Sequence, residues 1–119
     1  MPKIFVYGTL KSNKSRNFYL TRDDAKLVGP AKTTPDYRLV QRWFADYPCL
    51  IEEKDGMAVE GELWQVNDKT LEVLDSIEGV KSGLFKRAMI KLSDGSEALG
   101  YVCVNRPYPY WSVNNGNWQ

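Results

Sequence analysis

A chain of 119 residues with 43% hydrophobic and 26% charged residues has the make-up of a soluble globular protein. It reads as one domain, 1–119, long enough to close a core without metals or disulfides. Sixteen basic against fifteen acidic residues leave +1, with no long run of like charges, so no electrostatic surface for nucleic acid or membrane is evident. Histidine is absent, which excludes Ser-His and Cys-His nucleophilic sites as usually built and any zinc site needing His; proton transfer falls to Asp, Glu, Lys, Tyr or Cys.

The apolar run Ile4 to Tyr7 is too short for a signal peptide core, and nothing approaches the ~20 apolar residues of a membrane span. Cys49 and Cys103 stand far apart without CxxC spacing and read as free thiols in a reducing compartment, so a cytoplasmic location is expected.

Lys3 to Tyr7 reads as a strand rich in branched and aromatic residues, ended by Gly8. Ser15 to Lys26 lacks strand alternation and is predicted as a short helix. Tyr37 to Phe44 is a predicted strand, with a turn or sheet edge around Pro48. Asp55-Gly56 predicts a hairpin joining Cys49–Glu53 to Met57–Val66, and Asp94-Gly95 a second joining Phe85–Leu92 to Glu97–Val104. Gly61 and Gly100, inside strands, suggest bulges or close backbone approaches. The tail beyond Pro107 is aromatic (Tyr108, Tyr110, Trp111, Trp118), either a partner surface or a segment folded back over the body.

One helix is well marked. Asn67 is its N-cap candidate, Asp68 supports the first turn, Val66 and Leu71 have staple spacing, and Gly79 is placed to close it. Strands with two inserted helices make the class α+β, with a strongly curled or closed sheet.

On that helix, Leu71, Leu74 and Glu78 share the apolar face, with Val73 and Ile77 beside them. A glutamate there points toward the core or into a cavity, where burial raises its pKa toward the range in which it both takes and gives a proton. The alternative, Glu78 reaching solvent or pairing with Lys81 or Arg87, stays open on position alone. The turn Tyr7-Gly8-Thr9-Leu10-Lys11 allows a second reading. A glycine after a buried strand bares consecutive backbone N–H groups, a seat for a carboxylate or oxyanion, although strand-ending glycines are also common punctuation.

The string FVYGTLK, Phe5 to Lys11, resembles the opening signature of the γ-glutamylcyclotransferase superfamily, which includes γ-glutamylamine cyclotransferases and AIG2-like proteins. LDSIEG, Leu74 to Gly79, resembles its second signature, and VKSG, Val80 to Gly83, continues it. YPCLI (Tyr47–Ile51) and VEGELWQV (Val59–Val66) resemble weaker shared segments in the expected order, so the resemblance runs from Lys3 to Val104.

The resemblance implies a small mixed β-barrel flanked by short helices. It implies a small-molecule γ-glutamyl substrate, held by the backbone of Gly8, Thr9 and Leu10 with Tyr7 beside them. Glu78 is then the catalytic acid/base of a cyclisation giving 5-oxoproline and a free amine, without metal or cofactor. Phe85 stands in FKR where many members have Tyr-x-Arg, which removes a hydroxyl. Three other readings remain: a non-catalytic binder of a γ-glutamyl-like ligand or partner protein, a transferase releasing the group from a larger carrier or isopeptide, and a Cys49 thiol enzyme. The last is disfavoured because no histidine exists to activate the thiol. The leaving amine and the oligomeric state are not legible in the sequence.

Overall fold

The structure, a computed structural model, describes residues 2–8, 10–14, 16–21, 25–42, 48–81, 83–104, 110–112 and 116–117, with the side chains of 42 and 110–112 left aside. Its strands are β1 (Lys3–Val6), β2 (Lys26–Lys32), β3 (Tyr37–Arg42), β4 (Pro48–Glu52), β5 (Glu60–Gln65), β6 (Phe85–Lys91), β7 (Glu97–Cys103) and β8 (Tyr110–Ser112). Among the described residues one α-helix, α1 (Asp68–Ile77), lies between β5 and β6. The α+β class holds among the described residues.

The strands form a five-stranded sheet, β2-β5-β1-β7-β6, and a three-stranded sheet, β4-β3-β8. β1 is central, antiparallel to β5 and parallel to β7. Both its faces are therefore covered, and its alternation divides the core: Ile4 and Val6 pack with Leu71, Leu74 and Trp64, while Phe5 and Tyr7 pack with Leu39, Leu50, Val59 and Ile90.

The closed barrel is not what forms. The edge strands β2 and β6 meet through one isolated bridge, Thr33 with Leu92, flanked by bonds from Thr34 N–H to Lys91 O (3.0 Å) and Ser93 N–H to Lys32 O (2.9 Å). The large sheet curls until its edges touch, but no ladder joins them among the described residues.

Of the two predicted hairpins, the second is present, in register from Phe85 opposite Cys103 to Lys91 opposite Glu97. The first is corrected. Asp55, at φ 60, and Gly56 do make a turn, but the strands on either side enter different sheets: β4 pairs with β3, and β5 with β1 and β2. A turn signal fixes where the chain reverses, not which strand each arm joins. The predicted helix at Ser15 to Lys26 is also corrected: a 3-10 turn, Asn17–Tyr19, stands there and Lys26 already begins β2. β2 was hidden by Gly29 and Pro30, which an edge strand tolerates because one side of its backbone needs no partner. Its bulge lies between Leu27 and Gly29, whereas Gly61 and Gly100 are close approaches. A Cβ on Gly61 would run into Val6 O and the Phe5 ring, and one on Gly100 into Ile90.

Cys49 and Cys103 are not free thiols. They form a disulfide between β4 and β7, with Cα atoms 5.8 Å apart, and so tie the two sheets together. Bonded cysteines lend no support to a reducing compartment. No helix among the described residues is long and apolar enough to cross a membrane. β8 brings the backbone of the aromatic tail back onto β3; Tyr108 and Trp118, and the side chains of Tyr110 and Trp111, lie outside the described set.

Candidate functional site

The helix forms as its ends dictate. Asn67 Oδ1 accepts from Thr70 N–H at 2.7 Å, and Val66 and Leu71 are both buried in one cluster. At the other end Gly79 takes φ 70, Gly79 N–H donates to Ser76 O (3.2 Å) and Val80 N–H to Asp75 O (3.0 Å). This paired cap stops the helix at Glu78, whose φ −83 and ψ −4 place it as the C-cap.

The end of the helix is pinned to the large sheet. Tyr101 Oη, on β7, donates to Asp75 Oδ1 at 2.6 Å, and Arg87, on β6, lies 3.3 Å from Asp75 Oδ2. Arg87 is thus committed to Asp75. The Glu78 backbone N–H donates to Leu74 O at 2.9 Å, while its carboxyl makes no hydrogen bond and no ion pair among the described residues.

Glu78 lines a cleft at the C-terminal end of β1. Its neighbours there include Tyr7, Gly8, Leu10, Arg16, Phe85 and Tyr101. The cleft is partly open to solvent and has a cavity volume of about 80 Å³. Residues more than sixty positions apart meet there because β1 is the central strand and α1 ends beside it. Thr9 lies outside the described residues.

The turn after β1 is held from three sides. Lys11 N–H donates to Gly8 O (3.0 Å), Ser12 N–H to Glu62 Oε1 (2.7 Å), and Asn17 Nδ2 to Leu10 O (2.8 Å). Lys11 does not line the cleft; its ammonium donates to Asn117 Oδ1 at 2.9 Å. Tyr7 Oη donates to Tyr101 O (2.8 Å) and accepts from Leu50 N–H (3.3 Å), so its proton is already committed. Burial first, then the charge of Glu78, holds that phenol protonated well above the usual range, against the Leu50 bond. Burial and the bond to Asp75 do the same for Tyr101.

Burial pushes the Glu78 carboxyl up to about 7, against the opposing pull of Arg16. Between the usual 4.5 and about 7 the folded state keeps a proton that the unfolded chain has released, so stability falls as pH rises through that window and then levels off. Glu78→Gln removes this dependence. In urea titrations the variant and the parent should be nearly equally stable near pH 4.5, while at pH 8 the variant should be more stable by about 1–3 kcal/mol. A stability difference that does not change with pH would mean that burial does not hold this carboxyl neutral.

The sequence reading missed Arg16, Asp75 and Tyr101. Asp75 had one local signal, its place three residues before Glu78 on the same helix. Arg16 and Tyr101 had none, because their approach to Glu78 is entirely tertiary.

A curled α+β fold brings an ionisable carboxyl and a guanidinium into one cleft, a combination suited to acid/base chemistry. The chain belongs to the γ-glutamyl cyclotransferase, AIG2-like family, whose model matches residues 4–119. A Vibrio cholerae protein named "Putative gamma-glutamylcyclotransferase" is 30% identical over 97% of this chain and 93% of its own length. Gamma-glutamylaminecyclotransferase B of Danio rerio is 34% identical over 77% of this chain, which spans only 50% of that protein. Among solved structures, a mouse AIG2-like protein superposes with a TM-score of 0.82 at 23% identity, covering 100% of this chain and 88% of that one. A uropathogenic E. coli-specific protein gives 0.82 at 24% identity, covering 98% and 91%. These two likenesses concern the fold.

Proposed function

We propose that this chain is a cyclotransferase converting a γ-glutamyl amide into 5-oxoproline and a free amine. Glu78 is the general acid/base, and the backbone N–H groups of Gly8, Thr9 and Leu10, beside Tyr7, seat the substrate's carboxylate. The observation carrying this reading is a carboxyl that burial pushes up to about 7, in a cleft that also contains Gly8 and Leu10. A group poised near the working pH exchanges protons in both directions.

The substrate supplies its own nucleophile. Its α-nitrogen bonds to the carbon of its γ-carbonyl, closing a five-membered ring, and the bond from that carbonyl carbon to the leaving nitrogen breaks. The α-nitrogen starts as an ammonium and ends as a lactam N–H, giving up two protons; the departing amine leaves as an ammonium that has gained two. Ionised Glu78 takes the first proton, which frees the lone pair to attack, and returns a proton to the leaving nitrogen. Holding amine and carbonyl in a near-attack geometry supplies most of the rate advantage. Tyr7, its hydroxyl proton engaged by Tyr101 O, acts as wall and support. Phe85, buried in the lining, makes that wall apolar where the family's tyrosine would place a hydroxyl.

The test is incubation with glutathione, γ-glutamyl amino acids, γ-glutamyl-ε-lysine and simple γ-glutamyl amines, scored for 5-oxoproline. Turnover of at least one is expected. Binding without turnover across the whole panel would overturn the catalytic reading in favour of a γ-glutamyl-binding protein.

A further inference from the structure

The proposed chemistry requires the Glu78 carboxyl to keep a fixed distance from the Gly8–Leu10 turn, yet no bond made by that carboxyl holds it there. Among the described residues it has neither a hydrogen bond nor an ion pair. Burial favours its escape, because a buried carboxylate regains hydration on reaching water. Glu78 is also the C-cap of α1, and helix ends fray. Its place is therefore set by whatever holds the last turn.

Asp75, one turn earlier, ties that turn to the large sheet. Tyr101 Oη donates to Asp75 Oδ1 at 2.6 Å, and Arg87 Nη1 lies 3.3 Å from Oδ2. A carboxylate in the last turn opposes the helix dipole, and α1 has no basic residue there to offset it. Local propensity thus disfavours Asp75 at this position, and its partners on β6 and β7 compensate. Tyr101 also reaches the other side of the cleft. Its carbonyl oxygen accepts from Tyr7 Oη at 2.8 Å, and Tyr7 directly precedes Gly8. One residue of β7 therefore bonds both the helix that carries Glu78 and the end of the strand that leads into the proposed substrate seat.

We infer that Tyr101, acting through Asp75, is a positioning residue: its hydroxyl braces the end of α1 against β7 and so sets the distance between the Glu78 carboxyl and the seat of the glutamyl carboxylate. This inference rests on the cyclotransferase reading and adds the device that aligns its acid/base. Tyr101 does this without charge. Burial and the bond to Asp75 keep its phenol protonated, so removing the hydroxyl changes no charge beside Glu78. Of the other described groups in the cleft, Arg16 is cationic, Tyr7 is a neutral phenol, and β4 and β6 contribute uncharged Pro48 and Phe85. Arg87 stays with Asp75. A change in the pH at which Glu78 ionises in a Tyr101→Phe protein thus reports movement of the carboxyl.

The test measures kcat and KM for 5-oxoproline formation, their pH dependence and the urea midpoint in the parent, Tyr101→Phe, Asp75→Ala and Asp75→Asn. Tyr101→Phe should lower kcat by about tenfold or more and change KM by about twofold or less. Its pH limb should move from about 7 toward the usual 4.5, as the carboxyl reaches water. Asp75→Ala should behave alike, while Asp75→Asn keeps an oxygen that accepts from Tyr101 and should retain more of the rate. The Tyr101→Phe/Asp75→Ala double variant should be no slower than its slower single, since both remove one bond. A Tyr101→Phe protein with a lower urea midpoint but the parental kcat and limb would overturn the inference, and so would a rate loss without movement of the limb. NMR of glutamate isotopically labelled at its carboxyl carbon reads the same movement without turnover, the Glu78 resonance being identified by its loss in Glu78→Gln. If the parent forms no 5-oxoproline, the cyclotransferase reading fails and the NMR comparison still decides the brace. A Glu78 titration shifted to lower pH in Tyr101→Phe upholds it; an unshifted one defeats it.

Discussion

Glu78→Gln is expected to lower kcat for 5-oxoproline formation by about 10²-fold or more while changing ligand affinity little. Glutamine keeps the size of the side chain, and the cleft walls from Tyr7, Ile77, Phe85 and Tyr101 do not depend on its charge. What disappears is a carrier for the proton that must leave the attacking ammonium and another that must reach the departing amine. The backbone seat and the enforced ring-closing geometry survive, so residual turnover above the uncatalysed rate is expected. In the parent, kcat/KM should rise with pH through about 7 as the carboxyl ionises, and this limb should vanish in the variant. Single-turnover rates on any productive γ-glutamyl compound, measured from pH 5 to 9, provide the check. A folded Glu78→Gln protein working near the parent rate would sink the assignment.

Breaking the Cys49–Cys103 bridge is expected to cost about 4 kcal/mol of stability, because it closes a loop spanning a sequence separation of 54 and so restricts the unfolded chain. The bond also supports the cleft: Cys49 follows Pro48, and Cys103 stands opposite Phe85 in the β6–β7 register, both Pro48 and Phe85 being lining residues. Reductant should lower the urea midpoint of the parent and leave that of Cys49→Ala/Cys103→Ala unchanged. The double variant should match the reduced parent. Alkylation of native, unreduced protein followed by intact mass should add nothing. Two added alkyl groups, or a double variant as stable as the oxidised parent, would show that the bridge does not hold this fold.

The sequence by itself determined the local features whose physics is short-ranged. The Asn67 cap, the Gly79 stop and the Asp94-Gly95 hairpin each depend on a few adjacent residues, and all three are present. The apolar face of α1 also put Glu78 on the cleft side, since helical periodicity is fixed by 3.6 residues per turn. Only the tertiary structure decided the partners. The Asp55-Gly56 turn could not reveal that its arms join different sheets, and β2 could not be read through Gly29 and Pro30, whose tolerance depends on an edge position set by distant strands. The Cys49–Cys103 bridge, the Asp75–Tyr101–Arg87 cluster and the approach of Arg16 to Glu78 all join residues far apart in sequence. No local propensity encodes them; they exist because a central β1 draws the helix end, the turn after the strand and the β7 wall to one place.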